Sequence, residues 1–139
     1  MQDIKIKDYL LENGIRPVNK RVKIMNYLVS RRNHPTAEMI YHELVNEIAG
    51  LSKTTVYNTL NLFVQEGIAR ALNIESNELR YESDISLHGH FKCKECGEVY
   101  DFSYNKEIVE DLRLKNFVLE DYQFSIKGVC SICHKQKNS

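Results

Sequence analysis

Four cysteines stand in two pairs, Cys93-x-x-Cys96 and Cys130-x-x-Cys133, with 33 residues between the pairs. A two-residue gap lets one tight turn aim both sulfurs at a single ion. Two such turns supply the four soft donors that zinc takes in a tetrahedral structural site. Gly97, directly after the first pair, sits where a knuckle needs freedom in φ. Disulfides, a four-thiolate iron site or unrelated thiols would use the same residues, so spacing leaves these open beside zinc. Neither pair reads as catalytic. The work expected of the metal is to hold together a C-terminal half too small for a large core.

A second group is more dispersed. His88 and His90 lie two apart on an expected strand, which puts both rings on one side. Glu82 ends the preceding strand, Asp101 follows the first cysteine pair, and His34 falls in a loop between two N-terminal helices. Two or three imidazoles with two carboxylates suit iron(II), manganese(II) or zinc(II), with a fifth or sixth position left over. The same residues also read as isolated surface histidines and solvated acids. His42, on a helix face, and His134, in a polar tail after the last cysteine, are assigned to the surface.

The elements that would carry these residues follow from periodicity and punctuation. Helices are expected over 3–12, 19–32, 37–48 and 53–66, separated by Asn13-Gly14, His34-Pro35-Thr36 and Gly50-Leu51-Ser52, with Thr36 and Ser52 as caps. After Gly67 the pattern turns to strands at 68–74 and 78–82 around Glu75-Ser76-Asn77, a wing-like hairpin. A winged helix-turn-helix is the expected fold of residues 1–83. Residues 84–139 read as a small α/β domain with strands near 90–93 and 99–102, a helix over 105–115 and strands within 117–129. The whole is α+β.

On the fourth helix, Val56, Leu60 and Phe63 share a core face, and the opposite face carries Thr54, Tyr57, Asn58 and Asn61. Such a stripe suits a major groove. Amides pair with adenine, rings and methyls meet the thymine methyl, and Lys53 at the helix N-terminus favours phosphate. An exposed polar helix face is the plainer alternative. The chain is neutral, with 19 basic and 19 acidic residues, yet six basic residues and no acid lie between Asn13 and Ala37. Residues 71–139 hold nine basic against twelve acidic. The basic N-terminal patch, including Arg16 and Arg21, fits a polyanionic partner.

At 139 residues, 42% apolar and 27% charged, the chain is bounded to one or two small globular domains. The absence of a long apolar run or a signal-peptide pattern makes the cytoplasm the expected compartment, with no membrane partner. A zinc deaminase would need His-x-Glu and Pro-Cys-x-x-Cys; here His88-Gly89-His90 and Lys92-Cys93 stand instead, so an enzyme is not expected. A zinc-ribbon scaffold would have no use for the stripe on the fourth helix.

Together these residues resemble the ferric uptake regulator family of bacterial metalloregulators, most of all its peroxide-sensing branch. The likeness rests on His34-Pro35-Thr36-Ala37-Glu38-x-Ile40-Tyr41, Ser52-x-x-Thr55-Val56-Tyr57-Asn58-x-Leu60, Glu66-Gly67, Arg80-Tyr81-Glu82, His88-x-His90-x-x-Cys93-x-x-Cys96-Gly97 and Gly128-Val129-Cys130-x-x-Cys133. The resemblance implies a winged helix on an inverted-repeat operator in double-stranded DNA and a C-terminal dimerisation domain, hence a homodimer. It further implies a regulatory iron(II) or manganese(II) held by His34, Glu82, His88, His90 and Asp101. In the peroxide sensors, iron(II) reacts with hydrogen peroxide, a ligand histidine is oxidised and the DNA is released; the matching histidines are His34 and His88. The alternative within the family is reversible sensing of iron, manganese or zinc. Asp101 is an aspartate, as in the peroxide sensors, whereas Glu82 is a glutamate where such a sensor has aspartate. Leu87 and Gly89 stand where the family often carries ligands for a third metal site.

Overall fold

The computed structural model describes residues 3–31, 34–75, 78–85, 88–120 and 122–137. The chain divides into two compact units, Met1–Ile85 and Ser86–Ser139.

The first unit contains α1 (Asp3–Glu12), α2 (Asn19–Arg31), α3 (Ala37–Leu44), α4 (Lys53–Gln65) and the hairpin β1 (Arg70–Glu75) and β2 (Glu78–Glu82). Three helix boundaries show a local cause. The Asn13 side chain donates to the Tyr9 carbonyl at 2.8 Å, and Gly14 takes φ 75°, which ends α1. Thr36 and Ser52 accept the Met39 and Thr55 N–H groups, each at 3.1 Å, and so start α3 and α4. The core is built from Ile6 and Leu10 of α1, Met25 and Leu28 of α2, Ile40 of α3 and Leu60 and Phe63 of α4. Tyr81 of β2 closes it. The hairpin pairs antiparallel, with Ala71 opposite Tyr81. The segment after His34 adds to it: Thr36 forms a bridge with Arg80, and the Tyr81 N–H donates to the Pro35 carbonyl at 2.9 Å.

The second unit is a three-stranded sheet in the order β4-β3-β5, with α5 (Lys106–Glu110) and α6 (Ser131–Lys137). Central β3 (His88–Cys93) runs antiparallel to β4 (Val99–Ser103) and parallel to β5 (Ser125–Gly128). The Phe102 ring packs over Gly89, where a Cβ would lie 2.2 Å from it and would displace the ring.

Several expected boundaries shift. The third helix ends at Leu44 rather than residue 48, with turns to Gly50, while Ile48 and Leu51 still reach the core. The helix expected over 105–115 is confined to Lys106–Glu110, because Arg113 and Asn116 adopt left-handed φ of 58° and 65°. Among the described residues of 117–129, only Ser125–Gly128 is a strand. The tail after Cys130 is helical, since the second knuckle itself starts α6 with the His134 N–H on the Cys130 carbonyl at 2.9 Å. Arg32, Ser76, Asn77 and Leu87 lie outside the described residues.

Leu60→Ala, which empties a fully buried site, is expected to lower the unfolding free energy of the first unit by about 2–5 kcal/mol in urea titrations. Leu11→Ala, at a position 59% exposed on α1, is expected to change it by less than about 0.5 kcal/mol.

Candidate metal centres and nucleic-acid face

The cysteines converge because β3 and β5 are neighbours. Cys93 ends β3 opposite Gly128 of β5, Cys130 follows two residues later, and Cys133 lies on the first turn of α6. The Lys94 N–H donates to the Gly128 carbonyl at 2.8 Å and fastens one knuckle to the other. All four Sγ atoms lie within 4.8 Å of one another. Cys96 and Cys130 have sulfurs 3.9 Å apart, a contact and not a bond. Zinc–sulfur bonds of about 2.3 Å in a tetrahedron set sulfurs about 3.8 Å apart, so this donor set fits structural zinc.

Backbone amides prepare two of the thiols for metal. The Cys96 and Cys130 N–H groups point at the Cys93 sulfur from 3.5 and 3.3 Å and bring its thiol down to about 6. Cys130 is lowered by the Cys133 N–H and then by the Tyr100 hydroxyl. That same bond to Cys130 pushes Tyr100 up to about 12. Cys133 shares its proton with Cys130 and is pushed up to about 12. For Cys96, the Glu98 N–H favours the thiolate, but burial and the bond to Cys93 outweigh it and raise the thiol. Lys137 of α6 pairs with Glu95, between the first two cysteines, at 2.6 Å.

Each unit also sets a buried histidine against a carboxylate. In the first, His34 Nε2 is 3.6 Å from Glu82 Oε2, with both side chains only 7% exposed. In the second, His90 of β3 faces Asp101 of β4 in register, Nε2 to Oδ1 3.5 Å. The His88 ring packs edge-on against His90 with centroids 4.7 Å apart, as two positions on one face of a strand require. Within each unit, an imidazole beside a carboxylate offers the mixed nitrogen and oxygen donors that iron(II), manganese(II) and zinc(II) accept. His42, edge-on to Tyr41, and His134 are both exposed.

On α4, Val56, Thr59, Leu60 and Phe63 are buried, while Thr54, Tyr57, Asn58 and Asn61 are exposed. Lys53 is bound to Glu38 of α3 at 3.0 Å and lies over the Tyr41 ring. That bond lowers the Glu38 carboxyl and raises the Lys53 ammonium. Arg16 is exposed and its carbonyl accepts from Arg21 Nη1 at 3.1 Å. A cavity of about 110 Å³ opens between α2 and α4, lined by Lys20, Arg21, Thr55 and Asn58. Lys20 belongs to the basic patch already legible in the sequence, whereas nothing in the spacing marks Thr55 as a contact residue. Among the described residues no helix is long and apolar enough to cross a membrane.

A model of the "Ferric uptake regulator family" matches residues 12–129. Among curated proteins, the peroxide operon regulator of Bacillus subtilis (strain 168) is 35% identical over 132 residues, covering 93% of this chain and 91% of its own length. The peroxide-responsive repressor PerR of Staphylococcus epidermidis is 33% identical, covering 93% and 88%. Among solved structures, the Vibrio cholerae ferric uptake regulator superposes with a TM-score of 0.73 at 28% identity, covering 89% of this chain and 98% of that one. PerR from Streptococcus pyogenes gives 0.54 at 26% identity, covering 94% and 92%.

Because only thiolates coordinate zinc, reduced, metal-free protein is expected to release cysteine protons on zinc uptake and to bind zinc more weakly at pH 5.5 than at pH 7.5. Competition with a zinc indicator at the two pH values checks this; equal affinity at both would contradict it.

Proposed function

The chain belongs to the ferric uptake regulator family, and from that premise we propose that it is a repressor that holds its operator when a divalent metal is bound and lets go on meeting hydrogen peroxide. In the family's own terms it is a metal-responsive transcriptional regulator and not an enzyme. The observation that carries the metal part is the matched pair of half-sites, His34 against Glu82 in one unit and His90 against Asp101 in the other. In this reading both close on one ion, with His88 beside them as a further ligand. A filled site then selects the arrangement of the two units that fits the DNA. The cysteine site holds zinc throughout.

The peroxide part is supported by the relatives named as peroxide regulators and by the aspartate at Asp101. Iron(II) in the site would supply the reducing power that breaks the O–O bond of peroxide. One peroxide oxygen would enter the imidazole ring of His34 or of His88, the other would leave as water, and the oxidised imidazole would no longer serve as a ligand. A second reading, reversible sensing of iron, manganese or zinc, is favoured by the glutamate at Glu82. In either reading the protein works in the cytoplasm as a homodimer on an inverted repeat. The first unit reads the DNA and the second pairs with its copy, which gives a partner to the exposed Phe117 and Val118.

A peptide mass map of protein loaded anaerobically with iron(II) and pulsed with stoichiometric peroxide is expected to show one added oxygen on the His34 or His88 peptide. Manganese-loaded protein should show none, and DNA binding should fall only in the iron sample. No added oxygen, with binding restored by fresh metal, would leave the reversible reading in its place.

Removing Tyr57 or Asn58 as alanine variants is expected to weaken operator binding by about 1–3 kcal/mol each. Arg16→Ala should instead reduce the salt slope of binding by about one. Anisotropy titrations at several salt concentrations separate the two effects, and unchanged binding of the Tyr57 and Asn58 variants would argue for a scaffold that does not read DNA.

A further inference from the structure

In the run Arg80-Tyr81-Glu82, the third residue faces His34 and the second closes the core, and the first has been given no function. Its side chain nevertheless reaches the same loop. Arg80 Nη1 donates to the His34 carbonyl at 3.0 Å, across 46 positions of sequence. That carbonyl belongs to a residue at φ 51°, in the left-handed region that a residue with a Cβ keeps only when its surroundings enforce it. His34 lies just ahead of Pro35 and the Thr36 cap, outside α3 itself. Ties from β2 to the segment include the bridge from Arg80 to Thr36, the Tyr81 N–H on Pro35, the Glu82 carboxylate beside the His34 ring and the Arg80 guanidinium on the His34 carbonyl. The last is a side chain that acts on the histidine's own peptide group.

We propose that Arg80 is a positioning residue for the regulatory metal, its guanidinium fixing the His34 peptide so that the imidazole is presented to Glu82 before any ion arrives. Arg80 and Glu82 are two apart on β2 and so project from one face, which lets a single strand supply one ligand and orient another. A half-site set in advance spares the ion the ordering of a loop, and affinity gains by the ordering avoided. This inference rests on the reading of His34 and Glu82 as ligands.

The test is manganese(II) binding to zinc-loaded full-length protein, with free manganese read by electron paramagnetic resonance. Arg80→Met is expected to weaken binding by about tenfold, with zinc content and the manganese-free melting temperature unchanged. Arg80→Lys, which keeps a cationic donor, is expected to recover most of the affinity. Wild-type affinity in Arg80→Met would overturn the inference. So would a loss of affinity that comes with a lower manganese-free melting temperature, since Arg80 would then be holding the fold. If wild-type binding is untouched by Glu82→Ala, the half-site reading itself fails, a result visible without any Arg80 variant.

Discussion

The second unit depends on four sulfurs more than on any packed core. Among its described residues the buried apolar side chains are those of Cys93 and Cys130, while Leu112, Phe117, Val118, Ile126 and Ile132 stand exposed. Hydrophobic burial of that size cannot offset the entropy of ordering some fifty residues. A structural zinc site contributes on the order of 10 kcal/mol to folding in small metal-bound domains, which is the scale needed. The cysteines also sit where that stabilisation is felt. Cys93 ends the central strand whose other end carries His88 and His90, and the paired strand carries Asp101. Zinc bound there would hold the end of β3 and with it the spacing of the candidate sensing ligands.

The first unit solves a different problem by ordinary means. Its helices bury a full core, which leaves α4 free to expose a polar stripe without loss of stability. Strand β2 serves three ends at once: Tyr81 in the core, Glu82 at the half-site and Arg80 on the His34 loop. The loop leads straight into the cap of α3, and Glu38 in the first turn of α3 binds Lys53 at the start of α4. A contiguous set of contacts within this unit therefore runs from the proposed half-site to the helix proposed to read DNA, a route by which a bound metal could bias that helix.

What could be read from residues alone follows the range of the forces involved. The helices of the first unit were legible where period and cap agree, as at Thr36 and Ser52, and most fully at α4, which Gly67 at φ 75° follows. The cysteine site was legible because its geometry is set by two short local turns. In the second unit local signals conflict with the outcome: the apolar run at 117–119 reads as strand and stays outside the sheet. There, partners across the sheet and the knuckle decide, and α6 exists because Cys130 starts it. The pairing of His90 with Asp101 was visible only as proximity in sequence, since register across β3 and β4 fixes it. The reach of Arg80 to His34 left no periodic trace at all.

The central claim is that a divalent metal, distinct from the structural zinc, sets the affinity for DNA. Its most direct test is fluorescence anisotropy with zinc-saturated protein and an inverted-repeat duplex recovered by selection from a random pool, titrated with and without manganese(II). The account predicts tight binding with manganese, and binding weaker by about tenfold or more without it, as a typical allosteric coupling gives. Equal affinity in both conditions, with zinc content unchanged, would contradict it.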